Sequence, residues 1–235
     1  LEIILMISSV FENYYNYELI WADEFDYSGL PDSSKWSFDI EGNAWGWGNN
    51  ELQYYTNRSE NVIQEDGKLI ITAKKEQYAN ASYTSTRLKT QGKFSFTYGR
   101  VEVRAMLPSG RGVWPAIWML GDNITTVGWP ACGEVDILEY VGYQPDVVHS
   151  AIHTTSSSGN TVNVASQVIS DVATNFHVFS LNWSPNQITF LVPFIIASVS
   201  LCKPVAFEPF IIKKSFFLII LENTSSKSFL YCKIF

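Results

Sequence analysis

The chain has 235 residues, 46% of them hydrophobic and 17% charged, which suits one all-β domain with a sizeable core and argues against disorder. Its net charge is −7 and its pI about 5.0, the opposite of the basic face that a nucleic-acid partner requires. No apolar run is long enough to predict a transmembrane helix.

Aromatic residues are unusually frequent. Eight Trp and 12 Tyr exceed what a small core needs, and their rings match either the flat apolar faces of sugars or an aromatic-rich β core. The three cysteines, Cys132, Cys202 and Cys232, show no CxxC pair, no zinc-type spacing with His and no even count for a disulfide framework.

Along the chain, the opening Leu1 to Phe11 is apolar enough to be the end of a signal peptide, although it lacks a basic region and an initial Met. Residues 1–17 therefore read as an N-terminal extension or signal remnant, and the protein as secreted. Trp45 and Trp47 sit in a loop rich in Gly and Asn (GNAWGWGNNE), whose side chains suit sugar hydroxyls. Asn61 to Lys75 predicts a hairpin turning at Asp66-Gly67, a pair that a type I′ turn favours. Gly99 to Leu107 alternates, with Val101, Val103, Ala105 and Leu107 on one face and Arg100, Glu102 and Arg104 on the other. A second hairpin is predicted from His177–Trp183 and Gln187–Val192 around Ser184-Pro185-Asn186. No stretch shows convincing helical periodicity, and many short strands with turns between them predict an antiparallel sandwich.

The segment Gly133 to Tyr140 (GEVDILEY) carries the chemistry. Residues two apart on a strand share a face, so Glu134 and Asp136 point together while Val135 and Ile137 point into a core. Glu139 is an odd step away and would be buried unpaired, at considerable cost. One extra residue in a β-bulge around Ile137-Leu138 returns it to the face of the other two acids. A solvated acidic strand face is the bland alternative. Against it, three like charges with no interleaved cation repel one another, and burial would drive their pKa values apart as acid–base work requires. Trp114 and Trp118 lie four residues apart, on one face of an extended segment, and Trp129 comes shortly before Glu134. Carboxylates beside a stacking platform are what glycoside hydrolysis needs.

Several segments carry a resemblance: Glu134-Val-Asp136-Ile-Leu-Glu139 in the bulged pattern E-x-D-x-x-E, Trp21-Ala-Asp-Glu-Phe25, WGNNELQYYT and TSTRLKTQGKFSFTYGRVEVRAMLPSGRGVWPAIWMLG. Gly128 to Gly133, HSAIHT and FHVFSLNWSPNQITFLV add to it. Over residues 18–192 the chain resembles glycoside hydrolase family 16, and within it the laminarinases. The resemblance implies a concanavalin A-like β-jelly-roll of two curved antiparallel sheets with substrate in the concave cleft. It implies retaining endo-hydrolysis of β-1,3-glucan, with Glu134 as nucleophile, Glu139 as acid then base and Asp136 tuning the nucleophile. By the same resemblance Trp114, Trp118 and Trp129 would stack on sugar rings, while Asn49, Arg87 and His153 would hydrogen-bond them. Core or surface roles are the alternatives for each. The family requires no catalytic cofactor. Many members hold a structural calcium, for which Glu24 and Gly67 match two of three ligand positions. The implied partner is a β-glucan bound by a monomer, with no nucleic acid or membrane.

After Val192 the resemblance stops. Residues 193–235 read as a divergent tail of apolar clumps (PFIIASVSL, FFLIIL) and scattered lysines without alternation. The expectation is irregular structure there and a sandwich left incomplete at its C-terminus, with an unpaired edge. A non-catalytic glucan-binding protein or an inactive truncated homologue is the competing reading, although all three acids stand.

Overall fold

The computed structural model describes residues 18–42 and 46–192, and beyond them the backbone of 195–199, 217–221 and 230–234. The opening segment, Trp45 and the remainder of the tail lie outside the described residues. Two large sheets, antiparallel throughout, make the fold.

The first sheet has six strands, in the order β1 (Glu18–Asp23), β17 (Phe217–Leu221), β9 (Gly99–Ala105), β14 (His177–Ser184), β15 (Gln187–Val192) and β16 (Ile195–Val199). The second has seven, in the order β13 (Val164–Val168), β12 (Val147–His153), β11 (Glu134–Tyr140), β10 (Ala116–Gly121), β18 (Leu230–Ile234), β8 (Arg87–Lys89) and β2 (Ser37–Asp39). Two small sheets flank them: β3 (Gln53–Tyr55), β7 (Ala81–Ser85) and β6 (Lys74–Tyr78), and the hairpin of β4 (Val62–Glu65) with β5 (Lys68–Ile71). The only helical pieces among the described residues are a 3-10 turn at Gly46–Gly48 and α1 (Ile124–Val127).

The core lies between the two large sheets. From the first come Val101 and Val103 of β9, Phe179, Leu181 and Trp183 of β14, and Ile188 and Phe190 of β15. They meet Ile117 and Met119 of β10, Val135, Ile137, Leu138 and Tyr140 of β11, and Val148 and Ile152 of β12. The alternation expected in Gly99 to Leu107 is present, with Val101, Val103 and Leu107 buried and Arg104 exposed. Both predicted hairpins form. Asp66 and Gly67 turn the first with φ of 52° and 68°, the left-handed pair of a type I′ turn. Ser184 pairs with Gln187 to close the second over Pro185-Asn186.

The expectation for the tail is corrected. Three regular strands follow Val192, and two of them are interior. β17 pairs with β1 and β9, and β18 with β10 and β8. Alternation marks a strand with one wet face, whereas a continuous apolar run such as Phe217-Leu-Ile-Ile-Leu221 is the pattern of a strand covered on both faces. Their pairing supplies partners to the backbone of β9 and β10, which would otherwise be open edges.

Candidate active site

The carboxylates stand on β11, on the face turned away from the core. Opposite β10, Ala116 pairs with Glu139 and Ile117 with Leu138, but Trp118 pairs with Asp136, so Ile137 is the extra residue. Opposite β12 the register slips at the same place, between Asp136–Ala151 and Glu139–His149. Ile137 and Leu138 both enter the core, which returns Glu139 to the side of Glu134 and Asp136. The bulge is fastened by the Ser150 hydroxyl, which donates to the Ile137 carbonyl at 2.9 Å.

Each glutamate accepts a hydrogen bond from an indole. Trp129 Nε1 donates to Glu134 at 2.5 Å and Trp114 Nε1 to Glu139 at 3.2 Å. Both rings remain open to a ligand, at 47% and 39% exposure. Asp136 between them is buried, and its Oδ2 lies 3.1 Å from His153 Nε2. His153 pairs with Glu134 across the strands, and its ring sits 5.9 Å from that of Trp129. Burial, then the charge of Asp136, push Glu134 up to about 8. Burial, then Glu139, hold Asp136 well above the usual carboxylate range. The Trp129 N–H favours the ionised form of Glu134 against these effects, and Glu134 and Asp136 titrate as a pair that shares a proton.

A family model for Glycosyl hydrolases family 16 matches residues 49–199, more than half of the chain and every site residue described so far. The chain belongs to that family. A beta-glucanase of Rhodothermus marinus is 52% identical over 182 residues, covering 75% of this chain and 63% of the relative. The X-ray structure of the laminarinase from Rhodothermus marinus superposes with a TM-score of 0.77 at 40% identity, over 93% of this chain and 86% of that one. The catalytic domain of an endo-1,3-beta-glucanase (laminarinase) from Thermotoga petrophila gives 0.77 at 33% identity, over 94% and 98%. The chain spans less than two thirds of the length of the first curated relatives it matches.

In this family 16 chain the remaining expected residues divide by depth. Trp118 shares the face of the carboxylates but is only 8% exposed, packed with Ala116, Leu120, Ile124 and Cys132. Arg87 is 6% exposed, with Nε 3.2 Å from Asp39 Oδ2 and its guanidinium between the rings of Trp47 (4.8 Å) and Trp118 (5.0 Å). Asn49 is exposed on the loop after the 3-10 turn, its side chain 3.4 Å from Glu51 Oε1. That loop is tightly wound. Glu51 N donates to the Gly46 carbonyl, and a Cβ on Gly46 would come within 2.5 Å of Glu51 N. Glu51 Oε2 accepts from both Gln53 and Tyr55 at 2.6 Å.

Asp39 and Glu51 are the residues that sequence reading missed, since their partners are set by strand pairing and loop closure. The signal available for Asp39 was its place in Ser37-Phe38-Asp39, a short alternating strand. Of the residues matched to a structural cation, Glu24 is raised above its usual range by burial and by Asp23 and Asp26, and Gly67 caps the β4–β5 hairpin. Among the described residues, the acids and histidine close enough to share an ion are Glu134, Asp136 and His153, the cluster on β11 and β12 described above. Glu24 is outside that group.

Proposed function

We propose that this chain hydrolyses β-1,3-glucan internally, with retention of anomeric configuration, using Glu134 and Glu139. The observation that carries the reading is the bulged β11, which sets three carboxylates on one face and gives each glutamate an indole donor. Glu134 attacks the anomeric carbon while Glu139 gives its proton to the departing glycosidic oxygen, leaving a glycosyl-enzyme ester. Glu139 then takes a proton from water, whose oxygen attacks the same carbon and releases Glu134. Asp136 shares one proton with Glu134, and the attacking state is the one in which Asp136 carries that proton and Glu134 is ionised. Retention requires the two glutamate carboxyls to stand ~5–5.5 Å apart, so that no water fits between nucleophile and sugar.

The names of the relatives and neighbours above support β-1,3-linked glucan as substrate. A purely glucan-binding role explains neither the buried Asp136 nor the donors on both glutamates. Reducing-sugar release tests the proposal, with purified protein on laminarin, mixed-linkage glucan and agarose. Laminarin is expected to be cut fastest. Activity on agarose without laminarin would overturn the substrate, and inertness on all three would overturn the enzyme.

A further inference from the structure

Five stretches of the chain read Asn-x-Ser/Thr with no proline between, the acceptor pattern for N-linked glycan. They are Asn57-Arg-Ser59, Asn80-Ala-Ser82, Asn123-Ile-Thr125, Asn182-Trp-Ser184 and Asn223-Thr-Ser225. The pattern alone is weak. A glycan is bulky and hydrated, so a folded chain carries it only where it extends into water. The last of the five lies outside the described residues, and the structure divides the other four.

Asn57, Asn80 and Asn123 stand on connections and are exposed, as are Ser59, Ser82 and Thr125 two residues on. Asn57 follows β3, between Thr56 and Arg58, whose side chains bond Asn61 at 2.6 and 3.0 Å. Asn80 sits in the turn between β6 and β7, after Ala79 at a φ of 48°. Asn123 precedes α1 at the N-cap position, yet its side chain caps no backbone N–H. Asn182 differs in each respect. It lies within β14, half-buried, paired with Arg100 of β9 and Thr189 of β15. Its Oδ1 accepts from Arg100 Nη1 at 3.3 Å, a bond that a glycan on the same side chain would disturb.

We propose that Asn57, Asn80 and Asn123 carry N-linked glycans and that Asn182 does not, which makes the chain a glycoprotein of a secretory pathway. The inference goes beyond glucan hydrolysis and does not depend on it. In the transfer, the amide Nδ2 gives up one proton and bonds to the anomeric carbon of an oligosaccharide carried on a lipid diphosphate. The bond from that carbon to the diphosphate oxygen breaks, and the lipid diphosphate leaves. Because β3 and β7 run parallel, Asn57 and Asn80 stand at opposite ends of the β3–β7–β6 sheet, so the two glycans do not crowd one another.

The test uses the full chain, directed into the secretory lumen of yeast by a yeast leader. Both the secreted protein and the lumenal pool are taken, so that poor export does not hide the result. Peptide-N-glycosidase without denaturant, in water enriched in heavy oxygen, removes each glycan and leaves a labelled aspartate where it stood. Peptide mass spectrometry is expected to find the label at positions 57, 80 and 123 and an unmodified Asn182. Asn57→Gln, Asn80→Gln and Asn123→Gln are each expected to remove one glycan from the intact mass. A protein without glycan would overturn the proposal. A bare Asn57, Asn80 or Asn123, or glycan on Asn182, would overturn the assignment at that site. Label that appears only after denaturation would show that the glycans do not stand on exposed turns, and would overturn its structural basis.

Discussion

Glu134 bears the greatest tension between stability and chemistry. Burial and Asp136 raise it from 4.5 to about 8, so between those values the native protein holds a proton that the unfolded chain has released. Stability from this group is therefore full below its unfolded pKa and is lost as pH rises through the folded one. Glu134→Gln keeps a neutral side chain at every pH. Its melting temperature is expected to exceed wild type by more at about pH 9 than at about pH 5, a difference of order 1 kcal/mol or more. The same variant is expected to lose hydrolysis and to keep glucan binding. An equal shift at both pH values would show that Glu134 is not raised. The two tryptophans of the 114–118 segment are expected to behave differently. Trp114→Ala should weaken polymer binding by about 1 kcal/mol and leave the melt in place, because its ring is open. Trp118→Ala should destabilise the fold by about 3–5 kcal/mol, because its ring is packed and caps Arg87. Calorimetric binding and thermal melts on the two variants separate these outcomes.

The bulge is the element on which the site depends, and deleting Ile137 tests it. Without the extra residue the run Glu134-Val-Asp136-Leu138-Glu139 alternates regularly and keeps the three acids on one face, so this variant is expected to retain activity, whereas deleting Ile137 and Leu138 together turns Glu139 into the core and is expected to cost all activity and several kcal/mol for an unpaired buried carboxylate. A single deletion that melts like wild type but is inactive, or a double deletion that stays active, would show that the bulge does not set this register. This device was legible in the sequence because an odd step between two acids has one inexpensive solution. The hairpins at Asp66-Gly67 and Ser184–Gln187 were legible for a similar reason, since turn chemistry is local. The depth of Trp118 and Arg87 was not, because it depends on the loop at Gly46–Gly48 closing over them and on Asp39 arriving from β2. Periodicity says which face a residue shares. It does not say what another segment lays over that face.

For the molecule as a whole, the tail strands complete each of the two large sheets from within. β18 joins β10 to β8, and β17 joins β1 to β9. A chain ending at Val192 is expected to be insoluble or to lack a cooperative melt, whereas the full chain melts in one transition. A soluble, cooperative truncated chain would show those pairings to be dispensable. The sequence misled here because a strand can pair without alternating, and nothing local in FLIIL names its partners. The central claim joins all three scales: β11, held in its sheet by these strands, presents a nucleophile and an acid/base for retention. Proton NMR of laminari-oligosaccharide cleavage, recorded before mutarotation, tests it most directly. The account predicts that the β-anomer of the new reducing end forms first and that Glu134→Gln yields no product. A first-formed α-anomer, or hydrolysis that survives Glu134→Gln, would contradict it.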